Sequence, residues 1–529
     1  MGTYINIGNS GFRLSRNGEY IDKSGLIAVF NGMLFSRNQF CCVSRCRRFG
    51  KSMGAEMLCA YYDRSCDSRS LFADLAVAHN PTFEEHLNRY PVIYLDMTTF
   101  VTRFRDKGIV GQMDRRLRED LHEAYPQVPT RDGDDLMDYL IRVVEATGDA
   151  FIFIIDEWDA ICREFTQGTG TMDEYVNWLR RMFKDVSASR VFAGVYMTGI
   201  LPIKKYKTES ALNNFQEYSM VSPKSMASFF GFTKEEVRSL ASKYDVDFDE
   251  LEKWYDGYQI GRQPSMFNPN SVMQAVRNNS FESYWGTTGA YEAVADYISM
   301  NYEGLKDDII RMLAGERVEV NPSKFQNDIS TIYSRDDVLT VLIHLGYLAY
   351  DGREQECYVP NREVSAELAH AVEATNWTRV AGALQQSRRL LKDTLAGDAD
   401  AVARAISLAH DEQTSILSYN DENSLACVLS IAYYYAHGDY IFHRELATGK
   451  GFADLVLIPR KNVTSPAIVL ELKCDQTASA AIDQILRRDY PAKVREYTGH
   501  ILLVGINYDR RTKTHTCQIQ TDYIGTADL

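Results

Sequence analysis

Apolar positions in the first 200 residues fall into short runs separated by longer stretches of helical spacing. The runs are Phe40–Val43, Val92–Asp96, Phe151–Asp156 and Val191–Thr198, rich in β-branched and aromatic residues. Short runs of this kind joined by helices pair in parallel through crossovers, so the pattern predicts an α/β sheet. From about Lys205 to Ala374 the spacing turns mostly helical. Thr233-Lys234-Glu235-Glu236 has capping-box spacing and predicts a helix start, and Ser334 is a candidate N-cap for a helix over Ser334–Leu345. Leu348–Tyr350 and Glu356–Val359 read as a hairpin around Asp351-Gly352, and a helix followed by a hairpin suggests a winged-helix unit. Thr378–His410 is helical again, broken near Gly397. The final stretch predicts a helix at Ser424–Ala436 and strands near Tyr440–Leu446, Ala453–Ile458 and Ala467–Lys473. A helix at Ala478–Arg488 and a strand at His500–Ile506 complete an αβββαβ order.

The predicted domains are therefore an α/β domain over 1–204, a mostly helical lid and winged-helix region over 205–374, a helical connector over 375–420, and an αβββαβ domain over 421–529. A length of 529 residues, 45% apolar and 25% charged, excludes disorder, collagen and coiled coil as the main class. The net charge of −14 excludes a wholly basic nucleic-acid coat, though not a local basic surface. From Leu425 to Leu529, 12 basic side chains face 11 acidic ones, which points a polyanion contact toward that end. No apolar stretch approaches a membrane span, and the opening residues lack the apolar core of a secretory signal. The ten cysteines form no C-x-x-C pair. The expectation is a reduced, cytoplasmic protein with buried thiols, no membrane contact and no zinc site.

Arg45-Cys46-Arg47-Arg48-Phe49-Gly50-Lys51-Ser52 directly follows a predicted strand and opens a helical stretch. A phosphate loop needs this context, because backbone N–H groups at a helix N-terminus face the anion, a lysine neutralises it and a hydroxyl meets Mg²⁺. Arg45 stands where such loops have their first glycine, and Gly-Lys-Ser alone is a weak signal. A second element strengthens it. The apolar run Phe151–Ile155 ends in Asp156-Glu157, which suits a metal-holding aspartate and a water-activating glutamate. A third run ends at Thr198, placed to sense a γ-phosphate. Each has a bland alternative: a capped buried strand for the acids, a strand end for Thr198, a solvated basic turn for Arg47 and Arg48. Together, and in this order, they predict ATP binding by Arg48, Gly50, Lys51, Ser52, Asp156 and Thr198. Mg²⁺ would sit on Ser52 and Asp156, and Glu157 would be catalytic.

Arg-Arg-Phe-Gly-Lys-Ser, Ile-Asp-Glu-Trp-Asp at 155–159 and Thr-Gly-Ile-Leu-Pro-Ile at 198–203 resemble the bacterial AAA-ATPase-like family. So do Trp254-Tyr255-Asp256-Gly257-Tyr258 and Phe267-Asn268-Pro269-Asn270-Ser271, although an aromatic-flanked Asp-Gly turn also reads simply as core packing. The resemblance runs from about Tyr20 to Tyr508 and departs at Cys46, where proline is usual, and at Trp158, where tyrosine is. It implies a divergent P-loop ATPase joined to a C-terminal PD-(D/E)XK nuclease-like domain.

At that end Asp454 lies in a Gly-rich approach to one predicted strand, and Glu471-Leu472-Lys473 ends the next. Residues two apart in a strand share a face, so Glu471 and Lys473 project together and Asp454 can join them. Two carboxylates and a backbone carbonyl make an oxygen-rich Mg²⁺ or Mn²⁺ site, with Lys473 positioning a nucleophile. Asp454, Glu471 and Lys473 fall on the PD-(D/E)XK motif positions, with Asp454 and Glu471 as metal ligands. Glu445 and Gln484 are candidates for supporting the metal ligands or contacting phosphate, with a plain hydrogen-bonding or surface role as the alternative for each. Tyr490 falls six residues after Gln484, which does not suit the RecB-like branch.

The leading expectation is an ATP-binding, ATP-hydrolysing protein whose C-terminal domain cleaves nucleic acid with Mg²⁺. The alternative is a nucleotide-gated switch whose nuclease-like domain binds without cutting. A homo-oligomer is compatible with either.

Overall fold

The computed structural model describes residues 2–165, 170–203, 205–206, 209–210, 212–285, 290–300, 302, 304–326, 332–373, 378–413, 429, 432–448, 451–459, 464–488, 494 and 500–523. The chain divides into two compact units, Met1–Tyr284 with Glu319–Asn361, and Trp285–Val318 with Arg362–Leu529.

In the first unit β1 (Phe40–Ser44), β2 (Val92–Asp96), β3 (Phe151–Asp156), β4 (Phe192–Gly199) and β5 (Gln216–Tyr218) form a parallel sheet. Its order is β2-β3-β4-β1-β5. Every residue of β1, β3 and β4 is buried, as a sheet covered on both faces requires, which is why these segments read as unbroken apolar runs. α1 (Lys51–Tyr62) leaves the end of β1. α2 (Met97–Phe104), α3 (Ile109–Ala124) and α4 (Leu136–Thr147) follow β2, the short α5 (Ala160–Glu164) follows β3, and α6 (Thr171–Phe183) precedes β4. Phe100, Leu117, Leu140 and Trp178 from these helices close over Phe153 and Ile155 in one continuous core.

The remainder of this unit is built on α7 (Lys234–Tyr244), α8 (Phe248–Tyr255), α9 (Pro269–Asn278) and α10 (Arg335–Leu345). Thr233 caps α7 in a reciprocal box with Glu236, and the Ser334 hydroxyl accepts the Asp337 N–H at the start of α10. β6 (Phe232–Thr233), β7 (Tyr258–Ile260) and β8 (Gln263–Phe267) form a small sheet. The hairpin β9 (Ala349–Asp351) and β10 (Glu356–Tyr358) follows α10, as the sequence predicts.

Between α8 and β7 the aromatic turn is a packing device. Tyr255 and Tyr258 are fully buried, and the Tyr258 hydroxyl donates to the Gly346 carbonyl at 2.7 Å. Gly257 has φ +103°, and a Cβ there would lie 1.9 Å from the Pro360 carbonyl oxygen.

In the second unit β11 (Tyr440–Thr448), β12 (Gly451–Pro459), β13 (Ala467–Cys474), β14 (His500–Asp509) and β15 (Thr514–Tyr523) lie side by side in chain order. All pairs are antiparallel except β13 with β14. A parallel pair needs a crossover, and it contains α13 (Ala478–Arg487). Residues from α11 (Thr378–Leu395) and α12 (Ala399–Gln413) pack with Leu455, Leu470 and Val504 on one face of the sheet, while Ile482 and Ile485 of α13 pack with Val456 and Val469 on the other. The positive φ of Gly397 marks the break between those two long helices. The expected helix Ser424–Ala436 falls mostly outside the described residues, and a short 3-10 turn covers Tyr434–Gly438. β15 is an addition to the predicted order.

Among the described residues the cysteines are free thiols, and no helix is long and apolar enough to cross a membrane. Gly257→Ala is expected to cost roughly 2–4 kcal/mol, because the left-handed backbone and the carbonyl contact both oppose a side chain. A lower denaturation midpoint for the first unit, with nothing comparable for Gly352→Ala, checks this.

Candidate nucleotide and metal sites

Two strands of a sheet separated by a third lie about 10 Å apart, enough to admit a phosphate group between their ends. β4 separates β1 from β3 in this way, and the loops leaving β1, β3 and β4 meet at one edge. Gly50, φ +87°, turns the chain into α1 without a side-chain cap, so the first N–H groups of that helix remain available. Arg48 also has positive φ, and its guanidinium donates to the Tyr284 carbonyl. Lys51 is only 4% exposed. Its ammonium donates to the Cys46 carbonyl at 3.0 Å and lies 3.7 Å from a Glu157 carboxylate oxygen.

Asp156 is buried, and burial raises its pKa against the hydrogen bonds it accepts from Thr198 and Ser52. Thr198, Ser52 and Asp156 thus stand together as the sequence predicts. Glu157 adopts φ +52°, and its N–H donates to Asp156 Oδ1 at 3.1 Å and to Thr198 Oγ1 at 3.2 Å. The turns after β3 and β4 interlock further. Trp158 Nε1 donates to the Leu201 carbonyl at 3.2 Å, and buried Asp159 accepts the N–H groups of Ile200 and Leu201. Gly199 is required here because a Cβ would lie 2.6 Å from the Trp158 ring. The two motifs at 155–159 and 198–203 are one structure.

A cavity of about 410 Å³ opens beside this cluster. Its lining includes Arg48, Gly50, Lys51, Ser52 and Glu157 together with the large side chains of Tyr20, Met57, Phe229, Phe232 and Met273. The latter come from distant parts of the chain, with no local pattern to announce them. Sequence reading also misses Arg163, which pairs with the Glu157 carboxylate and lies 3.2 Å from Asp159 Oδ2.

Arg45 is not a phosphate ligand in this arrangement. It is fully buried and donates to the carbonyls of Ser44, Tyr218 and Met226 at 2.8, 2.9 and 3.2 Å, tying the loop to β5. Burial pulls its pKa down to about 10.

In the second unit the ladder between β12 and β13 ends at Leu455↔Leu470, so Asp454 and Glu471 oppose each other just beyond it. The strands separate there, and Asp454 Oδ2 accepts the Leu472 N–H at 2.7 Å. Lys473, two residues from Glu471, donates to Glu471 Oε1 at 3.0 Å, and Gln484 on α13 donates to the same oxygen. Gly505, opposite Glu471, lets α13 approach, since a Cβ would lie 2.3 Å from the Ala478 carbonyl oxygen. Glu471 is 1% exposed, and its Oε2 has no hydrogen-bond donor among the described residues. Burial, then the Asp454 charge, raises its pKa to about 7. An unpartnered buried carboxylate oxygen beside a second carboxylate fits a hard divalent cation. Among the described residues no three His, Cys, Asp or Glu side chains gather as ligands, so backbone carbonyl and water would complete the shell. The Glu445 side chain and Tyr490 lie outside the described residues.

Arg45→Gly, which restores a second loop glycine, is expected to destabilise the first unit by about 3 kcal/mol or more, as three buried carbonyls lose their donor. Chemical denaturation reads this. Glu471 gives a pH signature. Its folded pKa of about 7 exceeds the ordinary 4.5, so in EDTA its contribution is present below about 4.5 and lost as pH rises through about 7. Glu471→Gln should therefore gain on the wild type by roughly 1–3 kcal/mol between pH 5 and 8. A constant difference across that range contradicts it.

Residues 7–208 match the family model described as "AAA-ATPase_like: Predicted AAA-ATPase", and residues 420–517 match that of the PD-(D/E)XK nuclease superfamily. The chain is 24% identical over 538 residues to the "Uncharacterized protein in vnfD 5'region" of Azotobacter chroococcum mcd 1, covering 96% of this chain and 97% of that protein. The solved Aeropyrum pernix ORC2 protein, in ADPNP-ADP complexes, aligns with a TM-score of 0.31 and 12% identity over 68% of this chain and 98% of that one. The chain thus joins an AAA-ATPase-like domain to a C-terminal domain of the PD-(D/E)XK nuclease superfamily.

Proposed function

We propose that the protein binds and hydrolyses ATP in its first unit, and that its C-terminal domain cleaves nucleic acid with Mg²⁺ or Mn²⁺. The observation that carries the first half is the cavity whose lining includes Lys51, Ser52 and Glu157 as well as Tyr20 and Met273. Charged and donor groups in the lining suit a triphosphate, and the large apolar and aromatic side chains suit a base. The N–H groups at the start of α1 and the Lys51 ammonium hold the phosphates. Ser52 and Asp156 would hold Mg²⁺, which would supply charge neutralisation to the phosphates. Water attacks the γ-phosphorus, the bond to the bridging oxygen breaks, ADP leaves, and Glu157 takes the water proton. Thr198 orients Asp156 and the Glu157 backbone.

The second half rests on the unpartnered Glu471 oxygen beside Asp454. A bound divalent cation supplies Lewis acidity there, and Lys473 orients the attacking water. Cleavage breaks one P–O bond of the diester and leaves a phosphomonoester and a hydroxyl. A cytoplasmic protein, and the division 1–204, 205–374, 375–420 and 421–529, belong to the same proposal.

Lys51→Ala is expected to weaken binding of a fluorescent ATP analogue by at least about tenfold, whereas Glu157→Gln retains binding and loses turnover. Unchanged affinity in Lys51→Ala contradicts the nucleotide site. With Mn²⁺ and labelled oligonucleotides, wild-type cleavage that vanishes in Asp454→Ala and Lys473→Ala supports the nuclease. Metal-dependent oligonucleotide binding without cleavage favours the gated-switch alternative.

A further inference from the structure

In the second unit, the end of the sheet that carries Glu471 and Lys473 also carries the turn between β14 and β15. Lys473 pairs with Asn507, and β14 runs on only to Asp509. The turn reads Asp509-Arg510-Arg511-Thr512-Lys513-Thr514, three cations against one acid in a chain of net charge −14. Its backbone is pinned. The Asp509 carboxylate accepts the N–H groups of Arg511 and Thr512 at 2.8 and 2.9 Å, and the Lys513 N–H donates to the Asp509 carbonyl at 2.8 Å. The Thr512 and Thr514 hydroxyls meet at 2.8 Å.

The same turn is fastened to the strand of the candidate metal site. The Arg510 N–H donates to Asp475 Oδ1 at 2.9 Å, and its Nε donates to Cys474 Sγ at 3.0 Å and lies 3.3 Å from Asp475 Oδ2. The Asp475 N–H donates to the Tyr508 carbonyl at 2.8 Å, and the Gln476 N–H to Asn507 Oδ1 at 2.9 Å. Arg510 is thus committed to anchoring. Arg511 and Lys513 are exposed, and among the described residues neither side chain enters an ion pair. These two cations stand at a fixed offset from Lys473, about four residues or roughly 13 Å along extended chain. On one strand of a nucleic acid that distance covers about four nucleotides.

Building on the nuclease reading above, we infer that the β14–β15 turn grips the phosphodiester backbone through Arg511 and Lys513, about four nucleotides from the bond that is cut. The two side chains contact phosphates that do not react. Because Arg510 ties the turn to Cys474 and Asp475, that grip sets the register in which the strand crosses the Asp454–Glu471 pair. A chain of net charge −14 offers a polyanion no long-range attraction, so local cations have to supply it. Phosphate contacts carry no base information, so the grip is indifferent to nucleotide sequence.

The test uses the full chain with labelled single- and double-stranded oligonucleotides of about 20 and about 6 nucleotides, read as affinity in EDTA and as cleavage with Mn²⁺. The double variant Arg511→Gln with Lys513→Gln should bind the longer oligonucleotide roughly tenfold more weakly at low salt, with a salt slope shallower by about 1.5. KM for cleavage should rise by a similar factor while kcat holds, as loss of uniform binding requires. The shorter oligonucleotide cannot span the metal pair and the turn together, so its affinity should fall far less. Exchanging the two cations, Arg511→Lys with Lys513→Arg, should restore wild-type values. Arg389→Gln, which removes a charge from a side chain 86% exposed on α11, should match the wild type. The inference is overturned if the double variant keeps the wild-type salt slope and KM, if the shorter oligonucleotide loses as much as the longer, or if Arg389→Gln does equal damage. Competition by poly-glutamate as strong as by unlabelled oligonucleotide also overturns it, in favour of an acidic protein partner. Where the wild type binds without cutting, the affinity arm alone decides. A wild type that neither binds nor cuts overturns the nuclease reading and this inference with it, whereas unaltered cleavage by the double variant overturns this inference alone.

Discussion

The first unit depends on keeping charged groups dry at the edge of a parallel sheet. Lys51 and Asp156 are each 4% exposed, and burial of that degree is costly unless partners are fixed in advance. The fold supplies those partners from three loops at once: the Cys46 carbonyl, the Thr198 and Ser52 hydroxyls, and the Glu157 carboxylate. None of these loops would hold its shape alone. The turn after β3 is tied by Asp159 to the turn after β4, and the loop after β1 is tied by Arg45 to β5.

That arrangement explains a departure that looks damaging in sequence. The missing first glycine of the phosphate loop is replaced by an arginine that points away from the cavity and satisfies three backbone carbonyls. The loop keeps its positive-φ turns at Arg48 and Gly50. Its shape is held from behind, by a buried guanidinium, instead of by a second flexible residue.

Much of the sheet was legible because strands buried on both faces leave unbroken apolar runs, as at Phe151–Ile155. The acids at 156–157 and the Gly-Lys-Ser signal were legible because their chemistry is local. β5 was not, since Gln216-Glu217-Tyr218 is three residues long and polar, and it joins the sheet only by pairing with β1. β15 was missed for a similar reason: Thr514–Tyr523 is mostly polar and finds its place by pairing with β14. Arg163 carries no signal at all, because six residues from Glu157 has meaning only once the turn and α5 fold back. At the other end, Glu471 and Lys473 share a face by the period of two, so their contact was readable. The α13 contribution through Gln484 needed the crossover to be seen.

The central claim is that one chain holds a triphosphate cradle and a separate cation seat. A crystal structure of the full chain soaked with a non-hydrolysable ATP analogue and Mn²⁺ tests it most directly. The account predicts triphosphate density over the start of α1 with Lys51 reaching it, and anomalous Mn²⁺ peaks beside Ser52–Asp156 and between Asp454 and Glu471. A Lys51 still bound to the Cys46 carbonyl with no nucleotide in the cavity, or no peak between the two rear carboxylates at saturating Mn²⁺, would contradict it.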